Sequence, residues 1–151
     1  MAIVTVERKV LEKNDQIAQQ NRELFLKNRV FVINLVSSPG SGKTSILERT
    51  LGYFEGALKI GVIEGDVQTD LDAQRVAKFN VPTVQIVTNG GCHLEANLVR
   101  DALPNINLSD IQLLVIENVG NLVCPSNYDL GEAVKDETKT GLSHCMASEF
   151  H

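Results

Sequence analysis

Between residues 30 and 50 the chain reads VFVINLVSSPGSGKTSILERT, an apolar run, a glycine-rich loop and a helical segment in direct succession. Val30 to Val36 is almost unbroken in its hydrophobicity, which predicts a strand covered on both faces of a parallel sheet. Ser37 to Thr44 (SSPGSGKT) follows at once, and Ser45 to Tyr53 reads as a helix. Strand, loop and helix in this order are the setting a phosphate-binding loop needs. Gly40 and Gly42 let consecutive backbone N–H groups turn inward around a phosphate with no Cβ in the way. Lys43 brings a point charge to the β- and γ-phosphates, and Thr44 offers a hydroxyl to Mg²⁺. The N-terminus of the following helix also favours anions. The nucleotide-binding set is therefore Pro39, Gly40, Ser41, Gly42, Lys43, Thr44 and Ser45. The strict pattern G-x-x-x-x-G-K-[ST] has glycine where this chain has Ser37. A plain glycine-rich turn with an exposed lysine would explain the loop, but not the strand and helix on either side of it.

The rest of the chain extends this start into an α/β architecture. Residues 4 to 27 predict a helix with a narrow apolar stripe, Val10 and Leu11, Ile17 and Ala18, Leu24 and Phe25, packed on the domain. Three such repeats are too few for a coiled coil. Lys59 to Glu64 reads as a second buried strand, Thr83 to Thr88 as a third and Leu113 to Ile116 as a fourth. Helices are expected over Leu71 to Phe79 and Leu94 to Leu103. The alternation predicts a P-loop NTPase fold, a doubly wound, mainly parallel sheet flanked by helices. From Ala133 onward neither a helical nor a strand period is present, so 133–151 is expected to be loop or disordered tail. The boundaries that follow are 1–28 for the N-terminal helix, 29–132 for the core and 133–151 for the tail.

In open α/β sheets, ligands bind beyond the carboxyl ends of the strands, and the chemistry-bearing residues cluster there. Asp66, Asp70 and Asp72 follow the second strand; Asp66, closest to it, is the candidate Mg²⁺ contact, while Asp70 reads better as a helix cap. Glu117-Asn118-Val119-Gly120 ends the fourth strand. Its acidic residue can polarise water or Mg²⁺, and Gly120 can turn its N–H toward a γ-phosphate. Cys92 and His93 follow the third strand, and Cys124 lies beyond Gly120. Thiolate and imidazole together suit Zn²⁺ or Ni²⁺, although isolated cysteines are more often packing residues.

Composition narrows the partners. A chain of 151 residues with 43% hydrophobic and 22% charged residues is an ordinary single globular domain. A formal charge of −5 gives no reason to expect nucleic acid. No apolar run approaches the roughly 18 residues of a membrane span, and MAIVTVERKV lacks a secretory core, so a cytoplasmic location is expected. Three cysteines, Cys92, Cys124 and Cys145, point to metal or redox chemistry before a disulfide framework.

Four segments, NLVSSPGSGKTS, IEGDVQTDLDAQR, NGGCHLEA and ENVGNLVCP, strongly resemble the HypB-type hydrogenase nickel-incorporation GTPases, over about residues 5 to 132. Serine at position 37 is at home in that family. The resemblance implies GTP and Mg²⁺ at Lys43, Thr44 and Asp66, with Gly120 sensing the γ-phosphate. It also implies a nickel or zinc site at Cys92, His93 and Cys124, placed at a homodimer interface. Its implied partners are a hydrogenase large-subunit precursor and other nickel-maturation proteins. Urease accessory GTPases share the loop and a nearby metal motif, but GGCHLEA and ENVGNLVCP fit the hydrogenase branch better. The family's guanine-reading NKxD motif does not occur in these 151 residues. The resemblance therefore does not carry guanine over adenine, and 141–151 reads as unrelated sequence after a truncation or frame change. On that basis Val30 to Val36 is expected to be an exposed apolar sheet edge. A metal-binding or dimerising module without nucleotide turnover is the competing class; for a P-loop kinase there is no acceptor or lid signature.

Overall fold

The computed structural model describes residues 5–36, 43–65, 79–88, 91–120 and 125–137. Helix α1 (Val6–Lys27) leads into β1 (Phe31–Val36), α2 (Lys43–Tyr53), β2 (Ile60–Gly65), β3 (Thr83–Ile86), α3 (Ala96–Ala102), β4 (Leu113–Glu117) and β5 (Val134–Glu137). The five strands form one sheet in the order β3-β2-β4-β1-β5, parallel at every pairing. The expected helix over Leu71 to Phe79 lies outside the described residues except for Phe79, which packs on the sheet.

Side chains alternate across each strand, and the alternation divides the core in two. Val32, Ile63, Leu114 and Ile116 pack with Phe25 of α1 and with Val99 and Ala102 of α3. Ile33, Leu35, Val62, Leu113 and Val115 face the other way, onto Leu47 and Leu51 of α2. Helices on both faces make this a doubly wound sheet, in line with the α/β pattern of the sequence.

Three expectations are overturned, the last only in part. The stretch from Ala133, read as loop or tail, contains β5, whose Val134, Lys135, Asp136 and Glu137 pair in parallel with Ile33 to Val36. Consequently β1 is not an exposed edge: β4 and β5 flank it on either side. VKDE carries no alternating apolar signal because a strand at the edge of the described sheet needs little of one, and charged residues there discourage pairing with another chain.

The third concerns which residues of α1 face inward; the helix itself forms and packs on the domain as expected, with Ala18 and Phe25 of the stripe buried. Thr5 caps the helix by accepting a hydrogen bond from the Arg8 N–H. Its buried face is Asn14, Ala18, Asn21 and Phe25, whereas Val10 and Leu24 of the expected stripe are 40% and 39% exposed. The asparagines are inside because they serve backbone groups of neighbouring segments. Asn14 accepts from the Ala96 N–H at 2.7 Å and donates to the Asp129 carbonyl at 2.8 Å. Asn21 Nδ2 donates to the carbonyls of Ala96 and Leu130 at 3.0 and 3.1 Å. The amide at Ala96 opens α3 and has no partner within that helix, so Asn14 fills a vacancy that every helix start creates. Arg22 adds two 2.8 Å bonds to the Asp129 carboxylate.

Candidate functional site

Because all five strands run the same way, their carboxyl ends share one edge of the sheet, and the candidate residues follow those ends. Lys43, Thr44 and Ser45 form the first turn of α2, directly after β1 and its loop. Pro39, Gly40, Ser41 and Gly42 lie outside the described residues, as do Asp66, Asp70, Asp72 and Cys124. Glu117 ends β4 and is 7% exposed; its neighbour in the parallel register is Glu64 of β2, 1% exposed. Both belong to the alternation that faces α2, so two acidic side chains stand side by side at the carboxyl end of the sheet. Glu64 is a residue that sequence reasoning passed over as merely the end of a strand.

Beyond β3 the chain presents Cys92 as a half-buried free thiol, with its Sγ 3.5 Å from His93 Nδ1. The other imidazole nitrogen, Nε2, faces Glu95 Oε1 at 3.5 Å. With the proton on Nε2 directed to Glu95, the Nδ1 lone pair is left on the side of the Cys92 sulfur. This carboxylate–imidazole arrangement orients a metal-binding histidine. Glu95 is the N-cap of α3 yet makes no capping bond with its side chain, which is turned toward His93 instead. Tyr128 stacks on the same imidazole, with ring centroids 3.9 Å apart and planes at 17°. Tyr128 follows the short turn Pro125–Asn127, so chain just past Cys124 in sequence reaches the Cys92–His93 pair. Among the described residues no group of three or more His, Cys, Asp and Glu forms a cation cluster, and Cys124 is not among them. Glu95 had a signal in GGCHLEA, an acid two residues after the histidine; Tyr128 had none.

The segments carrying these groups are joined beneath the surface. Asn118, fully buried after β4, accepts from the Leu94 N–H at 3.1 Å and the Val119 N–H at 2.8 Å. It donates to Asn34 of β1 at 3.1 Å, and Asn34 donates to Glu132 Oε1 at 3.3 Å. Burial, followed by its contact with Asp129, pushes the Glu132 carboxyl above the usual range. Asp129 is itself pushed upward by burial, but hydrogen bonds from Arg22 and the Gly131 N–H hold it below its ordinary value. A cleft of about 250 Å³ between Phe54, Lys59, Phe79, Pro82 and Ile111 lies at the amino ends of the strands, away from these residues.

A parallel sheet with a GSGKT strand–helix junction and acidic strand ends at one edge defines a nucleotide-binding α/β domain of the P-loop class. The sequence profile of the CobW/HypB/UreG nucleotide-binding domain matches residues 31–144, and the chain belongs to that family. The match runs past residue 132, where the resemblance was expected to stop. The chain is 52% identical over 133 residues to hydrogenase maturation factor HypB of Azotobacter vinelandii, covering 88% of this chain and 44% of that protein. It is 48% identical over 133 residues to HypB of Escherichia coli (strain K12), covering 88% and 46% respectively. The chain thus spans about half the length of the curated relatives it matches. The crystal structure of HypB from Helicobacter pylori in complex with nickel superposes with a TM-score of 0.76 at 45% identity, over 82% of this chain and 58% of that one. No helix among the described residues is long and apolar enough to cross a membrane.

Proposed function

We propose that this chain is a GTP-dependent nickel-handling module of hydrogenase maturation, with nickel as its cargo. The observation that carries the reading is the thiol–imidazole pair, Cys92 Sγ to His93 Nδ1 at 3.5 Å, on the sheet edge that also holds the GSGKT junction. Relatives named as hydrogenase maturation factors, and a similar structure solved in complex with nickel, support the cargo. In this reading Pro39 to Ser45 bind the nucleotide, Thr44 and Asp66 hold Mg²⁺, Glu117 acts on the water or cation, and Gly120 meets the γ-phosphate. Cys92, His93 and Cys124 bind Ni²⁺ or Zn²⁺ and leave one position for a client or for the second subunit of a homodimer. The client is a hydrogenase large-subunit precursor, met in the cytoplasm together with other nickel-maturation proteins.

The short span from Gly120 to Cys124 connects the two chemistries. A γ-phosphate draws the Gly120 N–H toward itself, the segment through Cys124 follows, and the metal geometry changes; hydrolysis reverses the shift. By linkage, metal alters nucleotide affinity by the same factor. The test is Mg²⁺-dependent binding of a fluorescent GDP analogue competed by GTP and by ATP, with Ni²⁺ titrations of Cys92→Ala and Cys124→Ala. Strong competition by GTP alone, with metal binding lost and nucleotide binding kept in the variants, is the expected result. Equal competition by ATP overturns the guanine preference. Absence of nucleotide binding overturns the GTPase reading and leaves a metal-binding or dimerising module.

A further inference from the structure

We infer that Asn118 is a positioning residue that makes the Cys92–His93 segment and the Glu117–Gly120 segment move as one body; the inference rests on the nucleotide and metal roles proposed above. The side-chain amide of Asn118 can point only one way, since two backbone N–H groups, from Leu94 and Val119, both donate to Oδ1. That leaves Nδ2 to donate to Asn34 Oδ1, which in turn leaves Asn34 Nδ2 for Glu132. Glu132 Oε2 accepts from the Leu130 N–H at 2.7 Å, and Lys135 Nζ stands 3.6 Å from Oε1. Lys135 also donates to the carbonyls of Pro125 and Tyr128, at 3.1 and 2.9 Å. Tyr128 then stacks on His93, one residue before Leu94. The hydrogen bonds, the ion pair and the ring stack close a circuit, from Leu94 through Asn118, Asn34, Glu132, Lys135 and Tyr128 back to His93.

Leu94 is also gripped by its side chain. It is fully buried, and a Cβ at Gly65 would stand 2.9 Å from its Cδ1, so the Cys92–His93 segment rests on the end of β2, beside Asp66 in sequence. A displacement of Glu117–Gly120 that left Leu94 behind would strand the buried Leu94 N–H and leave Asn118 Oδ1 with the Val119 N–H alone, so the joint movement is favoured over the separate one. Cys124 is tied to the same segment by the covalent chain beyond Gly120. Asn118 supplies the corresponding tie for Cys92 and His93, and one shift at the end of β4 reaches both halves of the metal site.

The experiment compares Ni²⁺ affinity in the presence of GDP and of a non-hydrolysable GTP analogue, in the unaltered chain and in Asn118→Ala. The unaltered chain is expected to show a ratio of about 5-fold or more, as typical couplings do, and Asn118→Ala to bring it within about 2-fold of unity. A ratio unchanged in an Asn118→Ala protein that melts cooperatively overturns the positioning role alone. A ratio of one in the unaltered chain overturns the nucleotide–metal reading, and the positioning role with it. Should Asn118→Ala fail to fold, hydrogen exchange of the Leu94 amide in the unaltered chain decides. A change between the two nucleotide states supports the tie, and identical exchange overturns it.

Discussion

Replacing Gly131 with alanine tests how α1 is seated on the rest of the fold. Gly131 has φ +95°, and a Cβ there would stand 2.7 Å from the Ala18 carbonyl oxygen, 2.9 Å from Asn21 Cβ and 3.0 Å from the Arg22 amide nitrogen. Holding a residue with a Cβ in that backbone region costs about 1–3 kcal/mol. The three contacts all lie on α1, and none is the loose end of a long side chain, so the helix must retreat or the turn must open. Overpacking of this kind costs a further 1–3 kcal/mol or about that. Stiffening of the unfolded chain offsets about 0.4–1 kcal/mol of this. The expected loss is about 2–5 kcal/mol, a large share of the roughly 5–15 kcal/mol that stabilises a domain.

Gly56 supplies the control, for it has φ +79° and a Cβ there would meet nothing within 4 Å. Gly56→Ala should therefore lose only the backbone term, about 1–2 kcal/mol. The chain has no Trp, so urea unfolding is followed by far-UV circular dichroism. The difference between the two variants isolates the contact with α1. Losses equal to within about 0.5 kcal/mol, a usual margin for surface changes, would refute the close approach of Gly131 to the helix backbone.

Two further predictions bear on the same junction. Asn21→Leu removes the donor to two carbonyls at a position only 2% exposed; it should destabilise by about 1–3 kcal/mol, and an unchanged urea midpoint would contradict the pairing. The Arg22–Asp129 pair should stabilise the fold above the ordinary aspartate range and lose that contribution as pH falls through the depressed Asp129 value. Glu132, whose value is raised, acts in the opposite sense: its contribution is full below the ordinary glutamate range and fades as pH rises through the raised value. Melting temperatures across acid to neutral pH should show Asp129→Asn flattening the acid limb, and Glu132→Gln flattening the limb above it.

The strands of the sheet core and the two long helices were legible because each buries enough apolar surface to leave a period in the sequence. Val30 to Val36 and Leu113 to Ile116 were read to within a residue of β1 and β4. What escaped was built from polar groups. VKDE forms β5 through its backbone, at an edge where its side chains need no apolar pattern. Asn14 and Asn21 are buried through bonds to segments more than 70 residues away, a partnership that no local window contains. At the site, Cys92 and His93 announced themselves by donor type, whereas Asn118 looked like one polar residue in ENVG and Tyr128 like a loop residue. Their roles arise from what the fold sets opposite them.

The two faces of the sheet are held by different means, and the difference bears on function. On the α2 side the core is aliphatic and aromatic up to the strand ends, where Glu64 and Glu117 stand. On the α1 side four asparagines, Asn14, Asn21, Asn34 and Asn118, are buried and bonded across segments. Aliphatic packing tolerates small slips, because dispersion contacts exchange for others of similar strength. A buried amide tolerates them poorly, because each bond broken away from water leaves an unpaired group. Among the described residues, the segments beyond β3 and β4 have no ladder of their own, and the asparagines supply the backbone partners that a ladder would have given. If Gly120 meets the nucleotide as proposed, a change imposed there would meet a face that transmits displacement and does not absorb it. Such stiffness is what a site needs if metal geometry is to report on the nucleotide bound beside it.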